Sequence, residues 1–85
     1  MRPRRLLARL ALGHFQNVSF ADAKTLVEAC GFALLRTEGS HHIYSHPAIS
    51  ELVNLQNVNG EAKAYQLRQF LRLVERYDLR LETDE

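Results

Sequence analysis

Eighty-five residues, 46% of them apolar and 25% charged, make one globular domain with a single thin core and exclude a disordered chain. No apolar run approaches the roughly 18 residues of a membrane span, and the 6–12 stretch, broken by Arg9, is too short for a secretory leader. The lone Cys30 excludes an internal disulfide framework and a cysteine-built zinc site, so a small, reduced, cytoplasmic protein is expected.

Basic and apolar residues alternate in the first segment: Leu6, Leu7, Leu10 and Ala11 fall at helical spacing between arginines, predicting a short amphipathic helix over 4–14 that ends near Gly13. Ser19 is a helix cap, and Asp22 suits the positive end of the helix that follows. Phe20, Ala23, Leu26, Val27 and Cys30 form one apolar stripe, and Gly31 is a natural stop, so the second helix spans 20–30. The pattern then changes to β. A short apolar run over 32–37, a turn at Glu38-Gly39-Ser40 and a β-prone run over 40–46 that stops at Pro47 predict a hairpin. Residues 52–56 alternate as a third strand, with Val53 and Leu55 on one face and Asn54 and Gln56 on the other. A turn over 57–60 leads to a last helix over 62–77, marked by Ala64, Leu67, Phe70, Leu71 and Val74. Helix, three strands and helix, with a small helix in front, predict a two-layer α+β domain whose outer sheet face is partly open to a ligand.

The net charge of +1 is unevenly spread. Arg2, Arg4, Arg5 and Arg9 make the start basic, whereas residues 75–85 hold five acids against two arginines. That asymmetry points to a polyanionic partner for the basic end, to contact between the ends, or to two solvated termini.

Three histidines, His41, His42 and His46, fall within six residues. An unperturbed imidazole titrates near neutrality, at about 6.5, which suits proton transfer. Strand parity sets His42 and His46 on one face and His41 on the other, which weakens a three-histidine metal site, and a two-histidine site on His42 and His46 needs ligands from elsewhere. His41, beside the Gly39-Ser40 turn, is held rigidly and stays accessible. In the last helix Arg68, Arg72 and Arg76 recur every four residues with Lys63 in the first turn, a basic stripe suited either to tracking phosphates or simply to a solvated face. Tyr44, Tyr65 and Phe70 are expected in the core, as is Cys30.

Gly31-Phe32, the run Gly39-Ser40-His41-His42-Ile43-Tyr44, His46-Pro47 and the following strand and lysine-bearing helix resemble the HicA toxin family of bacterial toxin–antitoxin systems. The runs Asn54-Leu55-Gln56-Asn57-Val58-Asn59-Gly60-Glu61-Ala62-Lys63 and Tyr65-Gln66-Leu67-Arg68-Gln69 are similar to one subgroup, and the resemblance covers about 19–79. It implies a double-stranded-RNA-binding-domain-like fold, α-β-β-β-α with an extra N-terminal helix here, and ribosome-independent cleavage of mRNA without a cofactor. It also implies neutralisation by a HicB-like antitoxin. The family's catalytic histidine falls on His41, its helix-start lysine on Lys63, and Gly39, Ser40, Arg68 and Arg72 become the expected RNA contacts. The chain divides into a basic extension over 1–17, a HicA-like domain over 18–80 and an acidic tail over 81–85. It departs from the family at Tyr65-Gln66-Leu67, where many members carry Gly-Thr-Leu, and in its arginine-rich first helix. Besides a nuclease with His41 as general base, two alternatives fit the same residues: a non-catalytic RNA-binding module, and a domain that binds only protein.

Overall fold

The computed structural model describes residues 1–82; positions 83–85 of the expected acidic tail lie outside the described residues. Helix α1 spans Pro3–Ala11. Proline opens it at the position where a missing N–H costs least. It closes earlier than the apolar pattern suggested, because Gly13 turns into the left-handed region with φ +89°. Helix α2 spans Phe20–Ala29, capped as expected by Ser19, whose hydroxyl accepts from the Asp22 N–H at 3.0 Å. Gly31 ends it at φ +97°, a backbone conformation that strains any other residue, and a Cβ there would also displace the side chains of Glu82 and His46.

Four antiparallel strands follow in the spatial order β1-β2-β3-β4: β1 Ala33–Glu38, β2 His41–Ser45, β3 Val53–Val58 and β4 Glu61–Ala62. The fourth strand is a correction to the three expected. Asn59 and Gly60 both take positive φ, 53° and 87°, the backbone that a two-residue hairpin loop needs. The chain therefore returns on itself, pairing Asn57 with Ala62 and Val58 with Glu61, before the last helix begins. The outer edge of β4 is covered in turn by the residues before α2: Phe20 N–H donates to Gly60 O at 2.8 Å, and Ala62 N–H to Val18 O at 2.9 Å. Helix α3 consequently starts two residues late, as Ala64–Arg76, and Lys63 is its N-cap residue rather than part of its first turn.

Helices α2 and α3 lie against one sheet face, and α1 packs on those two helices. Leu6 and Leu10 of α1, Ala23, Leu26 and Val27 of α2, and Leu67, Phe70 and Val74 of α3 enclose Tyr44, Val53 and Leu55 of the sheet in one core. The architecture is the α+β two-layer fold anticipated, with the extra N-terminal helix packed into that core. Strand β1 is the outer strand, and all six of its residues are exposed, Leu34 and Leu35 among them.

One buried polar atom in this core has no partner among the described residues, the Tyr44 hydroxyl. A desolvated hydroxyl without a hydrogen bond costs about 1–3 kcal/mol, so Tyr44→Phe is expected to stabilise the domain. At this size about 1 kcal/mol raises the melting temperature by roughly 4–8 °C. A lower melting temperature for Tyr44→Phe would mean that the hydroxyl bonds to ordered water.

Candidate active site

The site is assembled at one end of the sheet. Glu38 pairs with His41, which leaves Gly39-Ser40 as a two-residue loop between β1 and β2. Gly39 has φ +61°, and nothing lies within 4 Å of where its Cβ would be, so glycine is needed here for backbone conformation and not for space. The Ser40 carbonyl accepts from Asn57 N–H at 3.0 Å and locks the loop to β3.

Side-chain alternation along β2 then separates the histidines as expected. His41 lies on the sheet face away from the helices, half-buried, with Nδ1 3.1 Å from the Asn54 side-chain oxygen of β3. His42 turns toward the helices and packs on Phe20, ring centroids 4.6 Å apart. His46 packs edge-on against Phe32 at 5.0 Å, and its Nδ1 accepts from the Ala48 N–H. The two rings share a side of the sheet yet rest on different aromatic partners. Among the described residues, no group of three histidine, cysteine, aspartate or glutamate side chains is arranged to hold a metal ion.

Lys63 directly follows the β4 residue paired with Asn57, two strand spacings from β2, or roughly 10 Å from the line of His41. Its ammonium lies 5.8 Å from the Tyr65 ring centroid. Tyr65 corrects an expectation: Tyr44 and Phe70 are fully buried, but Tyr65 is 49% exposed beside the lysine. Gln66 is the reverse case, a polar side chain only 1% exposed. Its Oε1 accepts the Gln56 N–H at 2.7 Å, fastening the first turn of α3 to the β3 residue that faces His41.

Gly39, Ser40, His41 and Lys63 thus gather at one end of the sheet, while the arginines run away from it along α3. Arg68 stacks on Phe15, 5.0 Å from the ring centroid, on the side of the α1–α2 connection. Arg72 borders an open groove of about 240 Å³ with Glu51, Leu52, Gln69, Leu73 and Arg76. Arg76 is already paired with Glu51 at 3.4 Å. The Tyr77 hydroxyl, 2.6 Å away, is the main cause holding the Glu51 carboxyl below its ordinary range. The anticipated stripe is exposed, but it belongs to the helical layer and is interrupted by partners.

Cys30 is buried, and desolvation reinforced by the Glu82 charge pushes its thiol up to about 11, so it stays protonated at neutral pH and is no nucleophile. Two residues central to the site's geometry, Asn54 and Gln66, carry no local sequence signal of their role. Alternation already set Asn54 opposite Leu55; only the β2–β3 register brings it to His41.

No curated protein and no solved structure gives a match to the chain. The family described as the HicA toxin of bacterial toxin–antitoxin systems matches over residues 20–75, from the first residue of α2 to within one residue of the end of α3. That match takes in the hairpin with His41, both of its cross-strand neighbours and Lys63, and it leaves α1 outside. With well over half of its length matched, the chain belongs to the HicA toxin family of bacterial toxin–antitoxin systems.

Proposed function

We propose that this toxin is an endoribonuclease that cleaves mRNA without a metal ion, with His41 as general base. One observation carries the reading: an imidazole held by a cross-strand hydrogen bond on a sheet face that no helix covers. RNA contains its own nucleophile, so a domain this small needs only to take the proton from a 2′-OH, align the phosphate and stabilise its charge. His41 accepts that proton, the 2′-oxygen attacks the adjacent phosphorus, and the P–O5′ bond breaks. The departing 5′-oxygen takes a proton from water, leaving a 2′,3′-cyclic phosphate and a 5′-hydroxyl. Lys63 supplies positive charge at the same end of the sheet, and the Gly39-Ser40 loop sets the approach of the backbone. Cleavage should survive EDTA and stop when the ribose at the scissile position is replaced by 2′-deoxyribose. Loss of activity in EDTA, restored by zinc or magnesium, defeats the scheme.

A second reading is favoured by the course of the arginines: Arg68 and Arg72 sit on the helical layer, away from His41. A non-catalytic RNA-binding module would use them together with Lys63 and leave His41 without a chemical role. With Lys63, Arg68 and Arg72 each neutralising one phosphate of a single strand, log affinity should fall against log salt with a slope of about −2. Arg72→Glu should weaken binding alike on all sequences, because phosphate contacts carry little sequence information. Retention of RNA with that slope and no cleavage products selects the binder. A flat salt dependence removes the arginines from either scheme.

The partner expected for such a toxin is a HicB-like protein antitoxin that covers the open sheet face around His41. We place the work in the cytoplasm, where mRNA is met; among the described residues no helix is long and apolar enough to cross a membrane. Residues 18–80 form the unit that carries this chemistry, 1–17 a basic extension laid against it, and 81–85 an acidic tail.

A further inference from the structure

We infer that Asn54 is a positioning residue for His41, its side-chain carbonyl holding the imidazole as the Nδ1–H tautomer with Nε2 left as the free basic nitrogen. The inference rests on the reading of His41 as the base and adds the group that makes it one. A carbonyl oxygen only accepts hydrogen bonds, so at 3.1 Å from Asn54 Oδ1 the ring nitrogen Nδ1 must carry the proton. A neutral imidazole has one N–H, and the lone pair therefore sits on Nε2. Among the described residues Asn54 is the one hydrogen-bond partner of the His41 ring, so nothing competes for that lone pair.

The pair is built into the sheet. Asn54 lies opposite Ile43 and diagonal to His41, whose direct partner is Gln56. Diagonal neighbours on one face are within reach of longer side chains. Val53 and Leu55, 3% and 0% exposed, fix the facing of β3, because a slip of one residue would put both in water and Asn54 in the core. The bond from Gln56 N–H to buried Gln66 clamps the same strand from the other edge. The amide's neutrality also matters. A carboxylate here would favour the imidazolium, which cannot take a proton from a 2′-OH. The charged groups around His41 are Glu38 across β1, which pairs with Arg36, and Lys63 just past β4; β3 contributes only the neutral Asn54 and Gln56.

The test is a long-range ¹H–¹⁵N NMR spectrum of the full ¹⁵N-labelled chain, read beside cleavage rates. The parent protein should show His41 with Nδ1 protonated and Nε2 bare. Asn54→Ala should move the ring toward the Nε2–H form that free imidazole prefers, and lower kcat by about 10- to 100-fold with KM little changed. Asn54→Asp should keep Nδ1–H and shift the acid limb of the pH–rate profile upward, an effect that a merely structural residue would not produce. A parent spectrum showing Nε2–H, or an unchanged tautomer in Asn54→Ala, overturns the inference. The spectrum also separates it from the nuclease reading: a parent chain with the expected tautomer but no cleavage keeps the positioning and removes the nuclease.

Discussion

His41→Ala is expected to lower RNA cleavage by about 10²- to 10⁴-fold, the usual contribution of a general base, and to abolish growth arrest on expression. The same change should leave the fold intact. His41 is half-buried on the uncovered face, and its loss exposes the Asn54 carbonyl to water instead of burying it unpaired. Substitutions at such positions usually stay within about 0.5 kcal/mol. RNA retention should persist, because Arg68 and Arg72 lie on the helical layer. The informative controls are the neighbouring histidines. His42→Ala and His46→Ala remove rings packed on Phe20 and Phe32, so they should lower the melting temperature while sparing cleavage by the protein that remains folded. Melts, RNA retention and cleavage measured side by side distinguish the cases. A His41→Ala chain that cleaves like the parent removes the base assignment, and one that melts far below it makes His41 a structural residue.

Leu10→Ala should be among the most damaging single changes, costing about 2–5 kcal/mol as a cavity opens where a fully buried side chain stood. A domain of this length has only about 4–13 kcal/mol of stability in total, so the loss shows in any denaturant titration. The comparison with Arg5→Ala gives it meaning. Arg5 is on the same helix but exposed, and its truncation should cost less than about 0.5 kcal/mol. If Leu10→Ala were equally mild, α1 would be a loosely held arm; the expected result makes it part of the core that supports the sheet.

What could be read in advance had short-range causes. Ser19 and the stripe from Phe20 to Cys30 mark α2 because cap and periodicity lie within one segment. The parity of β2 separated His41 from His42 and His46 because neighbouring strand residues always face opposite ways. Alternation set Val53 and Leu55 inward for the same reason. The pieces missed depend on register or on brevity. Strand β4 has two residues, too few for any period to show, although Asn59-Gly60 is the hairpin signal that announces it. Without β4, the apolar pattern carries α3 back to residue 62 and takes Lys63 into its first turn. Asn54 was visibly on the open face, but its meeting with His41 exists only once β2 and β3 are aligned. The four-residue spacing of Arg68, Arg72 and Arg76 was real, yet spacing along one helix does not reveal that Phe15 and Glu51 take two of the three. Tyr65 and Gln66 exchange the roles their chemistry suggests, the aromatic outside and the amide inside, because an edge N–H of β3 needs an acceptor more than the core needs another ring.

The closure of β4 against residues 18–20 governs when the protein can first exist in folded form. The early residues complete a sheet edge made by Gly60 to Ala62, and the leucines of α1 share their core with α3. A nascent chain that has emerged only as far as the hairpin holds His41 but lacks β3, the α3 clamp on Gln56 and half of the apolar lining. Contacts that join both ends of a chain form only after nearly all of it has left the ribosome. The folded shape is therefore reached only once α3 has emerged, and until then the hairpin that carries His41 stands without its finished support.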